Sequence, residues 1–204
     1  MKLTLKKMVN HAFLVARHRH AVLKNCARCG ILLRGLLHDL SKFTPEEFFE
    51  SARHYQGNRS PIGACRRATG MSYAWLHHKG RNKHHIEYWI DDECIQNPIM
   101  PYKYAVECVC DKLAATKTYA KDSYTEDLPL RHWYKYGNKV KGNPRTLAFV
   151  EKVFIDIYRM GEDKVLNKEY MKRTYHDYCI AEIPPQNEII EFDNPQDNPV
   201  LHKG

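Results

Sequence analysis

Helical patterning without strand patterning predicts an all-α protein. Apolar residues recur every three or four positions in several stretches, Thr-Pro and Asn-Pro starts and glycine stops punctuate them, and no segment alternates apolar with polar residues over a strand's length. With 204 residues, the chain is expected to form one helical bundle domain over residues 1–181, followed by a polar, proline-rich tail over 182–204 that is extended or disordered.

The first helix is expected from Leu3 to Ala27, where Leu5, Met8, Val9, Ala12, Phe13, Val15 and Ala16 share helical spacing and Gly30 follows as a stop. His11, His18 and His20 ride on it, the first two seven residues apart and so on roughly one face. A second helix, Ile31 to Leu40, is an apolar run expected to be buried, and it delivers His38-Asp39 with Lys42 three residues on. Thr44-Pro45-Glu46-Glu47 opens a third helix: threonine caps, proline takes the first turn, and Glu47 stands where a capping box places its acid. Residues Gln56 to Pro61 read as a loop. In Trp75 to Trp89, four of the twelve histidines (His77, His78, His84, His85) fall within nine residues, interleaved with Lys79, Arg81 and Lys83. Gly80 is expected to end one helix there and Asn82 to cap the next. Further helices are expected from Pro101 to Tyr119, from Asn143-Pro144 to Met160 with Gly161 closing it, and from Glu162 to Tyr175.

Composition narrows the class. A hydrophobic share of 43% and a charged share of 27% are those of an ordinary globular protein. No apolar run is long enough to span a membrane and no signal-peptide pattern opens the chain, so a cytoplasmic protein is expected. Seven irregularly spaced cysteines, Cys26-Ala27-Arg28-Cys29 among them, argue for reduced thiols filling the core rather than a disulfide framework. Residues 1–90 carry 16 Lys and Arg against 5 Asp and Glu. That half therefore suits an anionic partner, either phosphate on a small molecule or a nucleic-acid backbone.

The candidate ligands in order are His18, then His38-Asp39, then His77/His78 and His84/His85, then Asp111, which interrupts an apolar helix interior. Each has an ordinary alternative: His38-Asp39 can cap a helix end, a histidine cluster can be surface decoration, and Asp111 can pair with a neighbouring cation. Buried together, imidazole and carboxylate need pairing or a cation, and their mixture suits divalent Mn, Fe, Co, Ni or Zn.

This order resembles the His…His-Asp…His…Asp pattern of the HD metal-dependent hydrolase superfamily, and His38-Asp39-Leu40-Ser41-Lys42 resembles its central helix end. The segments His18 to Val22, His38 to Phe48, Gly57 to Pro61, Ala74 to Trp89 and Met100 to Tyr119 resemble a family of small, uncharacterised HD-like proteins from bacteria and phages, over roughly residues 10–125. Members are sometimes labelled catalases, but no haem-ligand context is evident here. The resemblance implies an HD-like helical bundle, selects His18 over His11 and His20 as first ligand, and implies one or two divalent metal ions. It also implies a substrate contact for Lys42.

The expected function is a phosphohydrolase in which metal-activated water attacks a phosphorylated small molecule, a nucleotide being the substrate class. Asp39 and Lys42 are the catalytic candidates, with Asp39 able to bridge two ions. Lys42, Lys79, Arg81, Asn82 and Lys83 are the substrate-binding candidates. Two alternatives stay open. An HD-type di-iron oxygenase would need four His and two Asp, which the chain has. A nucleotide- or nucleic-acid-binding module without catalysis would use the basic half and its interspersed Tyr and Trp.

Overall fold

The computed structural model describes residues 1–193, and these form an all-α protein without strands. Ten α-helices succeed one another: α1 (Leu5–Arg28), α2 (Leu32–Leu37), α3 (Pro45–His54), α4 (Pro61–Thr69), α5 (Tyr73–Arg81), α6 (Tyr102–Ala120), α7 (Leu128–Tyr136), α8 (Pro144–Met160), α9 (Glu162–Val165) and α10 (Lys168–Tyr175). Short 3-10 turns cover Leu40–Phe43 and Ile86–Trp89, and a π turn, His176–Ile180, follows α10. No helix among the described residues is long and apolar enough to cross a membrane.

The core is built on α6 and α8. Ala105, Val106, Cys108, Val109, Cys110, Leu113 and Ala114 of α6 are buried, as are Phe149, Val150, Val153, Phe154, Ile155 and Ile157 of α8. On one side α7, α9 and α10 surround α8; on the other α1 lies along α6. Helices α4 and α5 each pack on α3, and α3 closes onto α1. The seam between α1/α6 and α3–α5 receives every histidine of the candidate ligand series. All seven cysteines are free thiols, six of them buried.

At α8 the helix boundaries follow the local signals. Asn143 caps α8 by accepting from the Arg145 N–H, and Gly161 ends it with φ +85°. Four expectations change. The second helix stops at Leu37, and its leucines face solvent: Leu33 is 73% exposed and Leu32, Leu36 and Leu37 are exposed as well. Gly35 is the residue that packs, because α2 presses on α1 so closely that a Cβ there would lie 2.8 Å from Cys26 Cβ and 2.9 Å from Leu23 Cα. Second, Gly80 lies inside α5, and Asn82 is its C-cap, donating from Nδ2 to the His78 carbonyl at 2.8 Å. Third, residues 61–69 and 128–136 form helices that the sequence reading had not marked. Fourth, the segment 182–193 has no helix, yet Ile190 and Phe192 are buried, Phe192 against Tyr134 and Tyr158. The rest of the expected tail, 194–204, lies outside the described residues.

Candidate metal centre

The centre is assembled from two breaks and three helices. His18 projects from the middle of α1. His38 and Asp39 occupy the break between α2 and the turn Leu40–Phe43, where Asp39 takes a left-handed conformation with φ 52°. Aspartate tolerates that region better than most residues, but holding it there still requires surrounding contacts. Arg19 supplies one, donating from Nε to the His38 carbonyl at 2.7 Å and from Nη2 to that of Leu36 at 2.9 Å. The polar pair is turned inward, His38 at 0% exposure and Asp39 at 1%, while the leucines beside it face out. His78 comes from the last turn of α5, His84 and His85 from the turn after it. Asp111 and Glu107, four residues apart, share one face of α6.

Two groups of ligand atoms result, each within 4.8 Å: His18, His38, Asp39 and Asp111 form one, and Asp39, His78, His84 and His85 the other. Asp39 belongs to both, and its two oxygens divide the work. Oδ2 lies 3.3 Å from His38 Nε2 and 3.9 Å from His18 Nε2. Oδ1 lies 3.3 Å from His78 Nε2 and 3.4 Å from His84 Nε2. Asp111 Oδ1 stands 3.0 Å from His18 Nε2 and 3.5 Å from His38 Nε2.

The opposite edges of the rings are held by carboxylates. His38 Nδ1 donates to Glu107 Oε1 at 3.0 Å, and His84 Nδ1 faces the same oxygen at 3.2 Å without hydrogen-bond geometry. His78 Nδ1 donates to Glu47 Oε2 at 2.7 Å. A carboxylate on Nδ1 fixes the tautomer and leaves Nε2 with a lone pair toward the centre, the arrangement found behind metal-bound histidines. A third group, His38, His84 and Glu107, also has ligand atoms within 4.8 Å. There, however, the Arg34 Nε at 2.7 Å already neutralises Glu107, so a cation is less needed on that side.

The inner edge is unsatisfied. Both Asp39 oxygens and the Nε2 atoms of His18, His38, His84 and His85 are buried without a hydrogen bond, although the Lys42 ammonium makes an ion pair with Asp39 Oδ2 at 2.7 Å. Lone pairs facing one another in a dry interior are unfavourable without a cation between them. These residues therefore fit a divalent ion of the nitrogen- and oxygen-preferring kind. Protonation of an imidazole is the other way these lone pairs can be separated. Burial pushes the Asp39 and Asp111 carboxyls up, but His38, Lys42 and His78 outweigh it at Asp39, and His18 and His38 at Asp111, holding both well below the usual range. Burial likewise opposes charge on His38, yet Asp39, Asp111 and Glu107 raise it well above its ordinary value. For His85, burial dominates and its imidazole lies well below. Glu107 is drawn down to about 2, its own burial outweighed by His38, His84 and Arg34.

Of the eight residues read as ligands from sequence, seven fall in the two groups. His77 does not: its Nδ1 donates to Glu47 Oε1 at 2.7 Å instead. Glu47 was expected to close a capping box, but Thr44 makes no side-chain cap and Glu47, 3% exposed, braces both His77 and His78. Glu107 was missed, although its spacing from Asp111 within an apolar helix was a usable signal. Beside the centre opens a cavity of about 320 Å³, lined on the metal side by His18, His78, His85, Asp111 and Lys42. Lys42 sets its Nζ 2.7 Å from Asp39 Oδ2. Asn82 turns into the protein, donating to Ser41 Oγ at 2.8 Å. Lys79, Arg81 and Lys83 are not among the residues lining this cavity; its second cation is Arg66, stacked over Trp75 at 4.9 Å.

Comparison with curated proteins finds no match, and comparison with solved structures finds none either. Residues 7–156 do match one protein family, a stretch that runs from α1 through most of α8 and includes every residue of the centre. The chain therefore belongs to DUF5662, a family of unknown function.

Proposed function

We propose that this protein is a metal-dependent hydrolase of small phosphate esters, with an HD-like arrangement of ligands. One ion would be held by His18, His38, Asp39 and Asp111, and a second by Asp39, His78, His84 and His85. The observation that carries this reading is Asp39, whose two buried oxygens each face a separate pair of histidine Nε2 atoms. Such an ion, when bound, supplies Lewis acidity and a nucleophile generated from water at neutral pH.

The chain's own residues do the rest. Glu107 and Glu47 orient the imidazoles. Lys42, whose ammonium is held in the charged form by Asp39 and Asp111 despite its burial, faces the cavity where phosphate charge would need neutralising. A cavity of about 320 Å³ is at the small end of ligand sites. A small phosphorylated molecule such as a nucleotide suits it better than a nucleic-acid strand.

Four histidines (His18, His38, His78, His84) and two aspartates (Asp39, Asp111) in one centre equally suit a di-iron oxygenase. Metal analysis of protein purified without chelator or histidine tag separates the readings. One or two equivalents of metal per chain, with phosphate release from phenyl phosphate or a nucleoside monophosphate, is the expected result. Two equivalents of iron with oxygen consumption and no phosphate release would replace hydrolysis by oxygenation. No metal after reconstitution would leave a binding module without catalysis.

A further inference from the structure

His11 sits on the same cavity as the metal centre but belongs to neither ligand group. It is 4% exposed, lines the cavity, and has no hydrogen bond on either ring nitrogen. Its neighbours are apolar or aromatic: Phe48 at 5.3 Å and Tyr55 at 6.2 Å between ring centroids. Unlike His38, His78 and His84, it makes no ion pair with a carboxylate, and the charge that acts on it is the Lys42 ammonium. Burial, helped by Lys42, pushes its imidazole down to about 4, so the ring is uncharged at neutral pH. An uncharged imidazole carries one donor and one acceptor. Leaving both buried without partners costs on the order of 1–3 kcal/mol for each group. A phenylalanine would pack against Phe48 and Tyr55 without that cost. A cation site is a poor explanation, since nothing beside the ring is anionic. What the ring lacks is an uncharged hydrogen-bonding group, and the cavity is where one can enter.

The distance is informative. His11 precedes His18 by seven residues of continuous helix, which places it about 10 Å along α1 from the first ligand group. Leu14 and Val15, which lie between them on α1, line the cavity, as do Pro61 and Ile62 of α4. A phosphate at the centre would therefore leave the carbon skeleton of its ester on apolar walls and bring the far end of the molecule to His11.

We propose that His11 is a substrate-specificity residue, hydrogen-bonding a hydroxyl or amide group on the organic part of the substrate, at the end of the cavity remote from the metal ions. This rests on reading the centre as a hydrolase of small phosphate esters. Phenyl phosphate, too short to reach His11 and without such a group, is the reference compound. A panel of 5′-nucleoside monophosphates and hexose phosphates supplies the polar far end.

The full-length, metal-loaded protein is compared with His11→Phe and His11→Gln. At least one panel compound should exceed phenyl phosphate in kcat/KM by about 10-fold or more. His11→Phe should erase most of that advantage, and His11→Gln, which keeps a donor and an acceptor, should restore part of it, while metal content per chain stays at the wild-type value in both. The same ranking is read without turnover from the rise in Tm that each compound causes. If the wild-type protein releases phosphate from nothing, the hydrolase reading falls, and the Tm ranking alone decides the role of His11. An advantage that survives His11→Phe, or the absence of any panel compound that outperforms phenyl phosphate in either readout, overturns the inference.

Discussion

Asp39 concentrates the centre's geometry in one side chain. Its left-handed backbone makes the usual alanine substitution ambiguous, because alanine would add strain to the loss of charge. Asparagine tolerates that backbone, so Asp39→Asn isolates the carboxylate. The expected outcome is loss of stoichiometric metal by elemental analysis with the helical circular dichroism unchanged; wild-type metal content would remove Asp39 from the ligand set. Lys42→Ala should behave oppositely, keeping the metal while phosphate release falls at least about 100-fold, since its ammonium contacts Asp39 from the cavity side. Glu107→Gln should weaken metal binding by about 10–100-fold in a chelator competition, because the amide no longer holds the His38 tautomer as firmly. His38, Asp39 and Asp111 were legible as candidates because each places a metal-binding group within or at the end of an apolar helical pattern, whereas His18 was singled out from His11 and His20 only by the resemblance to HD-like proteins. Glu47 and Glu107 were not, because their roles depend on partners 31 and 69 residues away.

At the scale of elements, α2 shows how a short helix can invert the expected burial. Six residues cannot bury a leucine stripe and also press a backbone against α1, and the close approach at Gly35 wins. Gly35→Ala would set a Cβ against the Leu23 backbone, which has no rotamer through which to move away. The expected destabilisation is about 1–3 kcal/mol, seen in calorimetry as a Tm lower by about 2–4 °C per kcal/mol for a chain of this size. Because α2 carries His38-Asp39 at its end, metal affinity should fall with it; an unchanged Tm would contradict a close approach of α2 to α1 at Gly35. The helices α4 and α7 were not legible, although each has proline in its first turn, because at nine residues each is too short for a sustained apolar stripe. The long helices α1, α6 and α8 were legible, since a stripe sustained over many turns is hard to mistake.

For the whole molecule, the centre ties α1, α2, α5 and α6 together through groups that oppose one another without a cation. Metal should therefore act as a structural brace as well as a reagent. At a free metal concentration about 100 times Kd, linkage adds about 2.7 kcal/mol to stability. A chelator titration followed by calorimetry should accordingly lower Tm by several degrees, and equal Tm values with and without chelator would contradict a centre that is buried and shared among four helices. Mass action also orders the experiments: the substitutions at Asp39 and Glu107 should be compared at fixed free metal, since their Tm values depend on it.

The sequence by itself determined the helical class, the ends of α8 that Asn143-Pro144 and Gly161 mark, the reduced state expected of the cysteines, and a short set of histidines and acids for one site. These are local properties, carried by periodicity and by residues whose backbone preferences do not wait for a fold. Only the tertiary structure decided that His78, His84 and His85 converge on Asp39 while His77 turns to Glu47, that the leucines of α2 face outward, and that His11 shares the cavity. The physical reason is one of direction. Residue spacing says which face of a helix a ring lies on, but the direction of its Nε2 is set by the carboxylate that holds Nδ1, and that carboxylate arrives from a distant element.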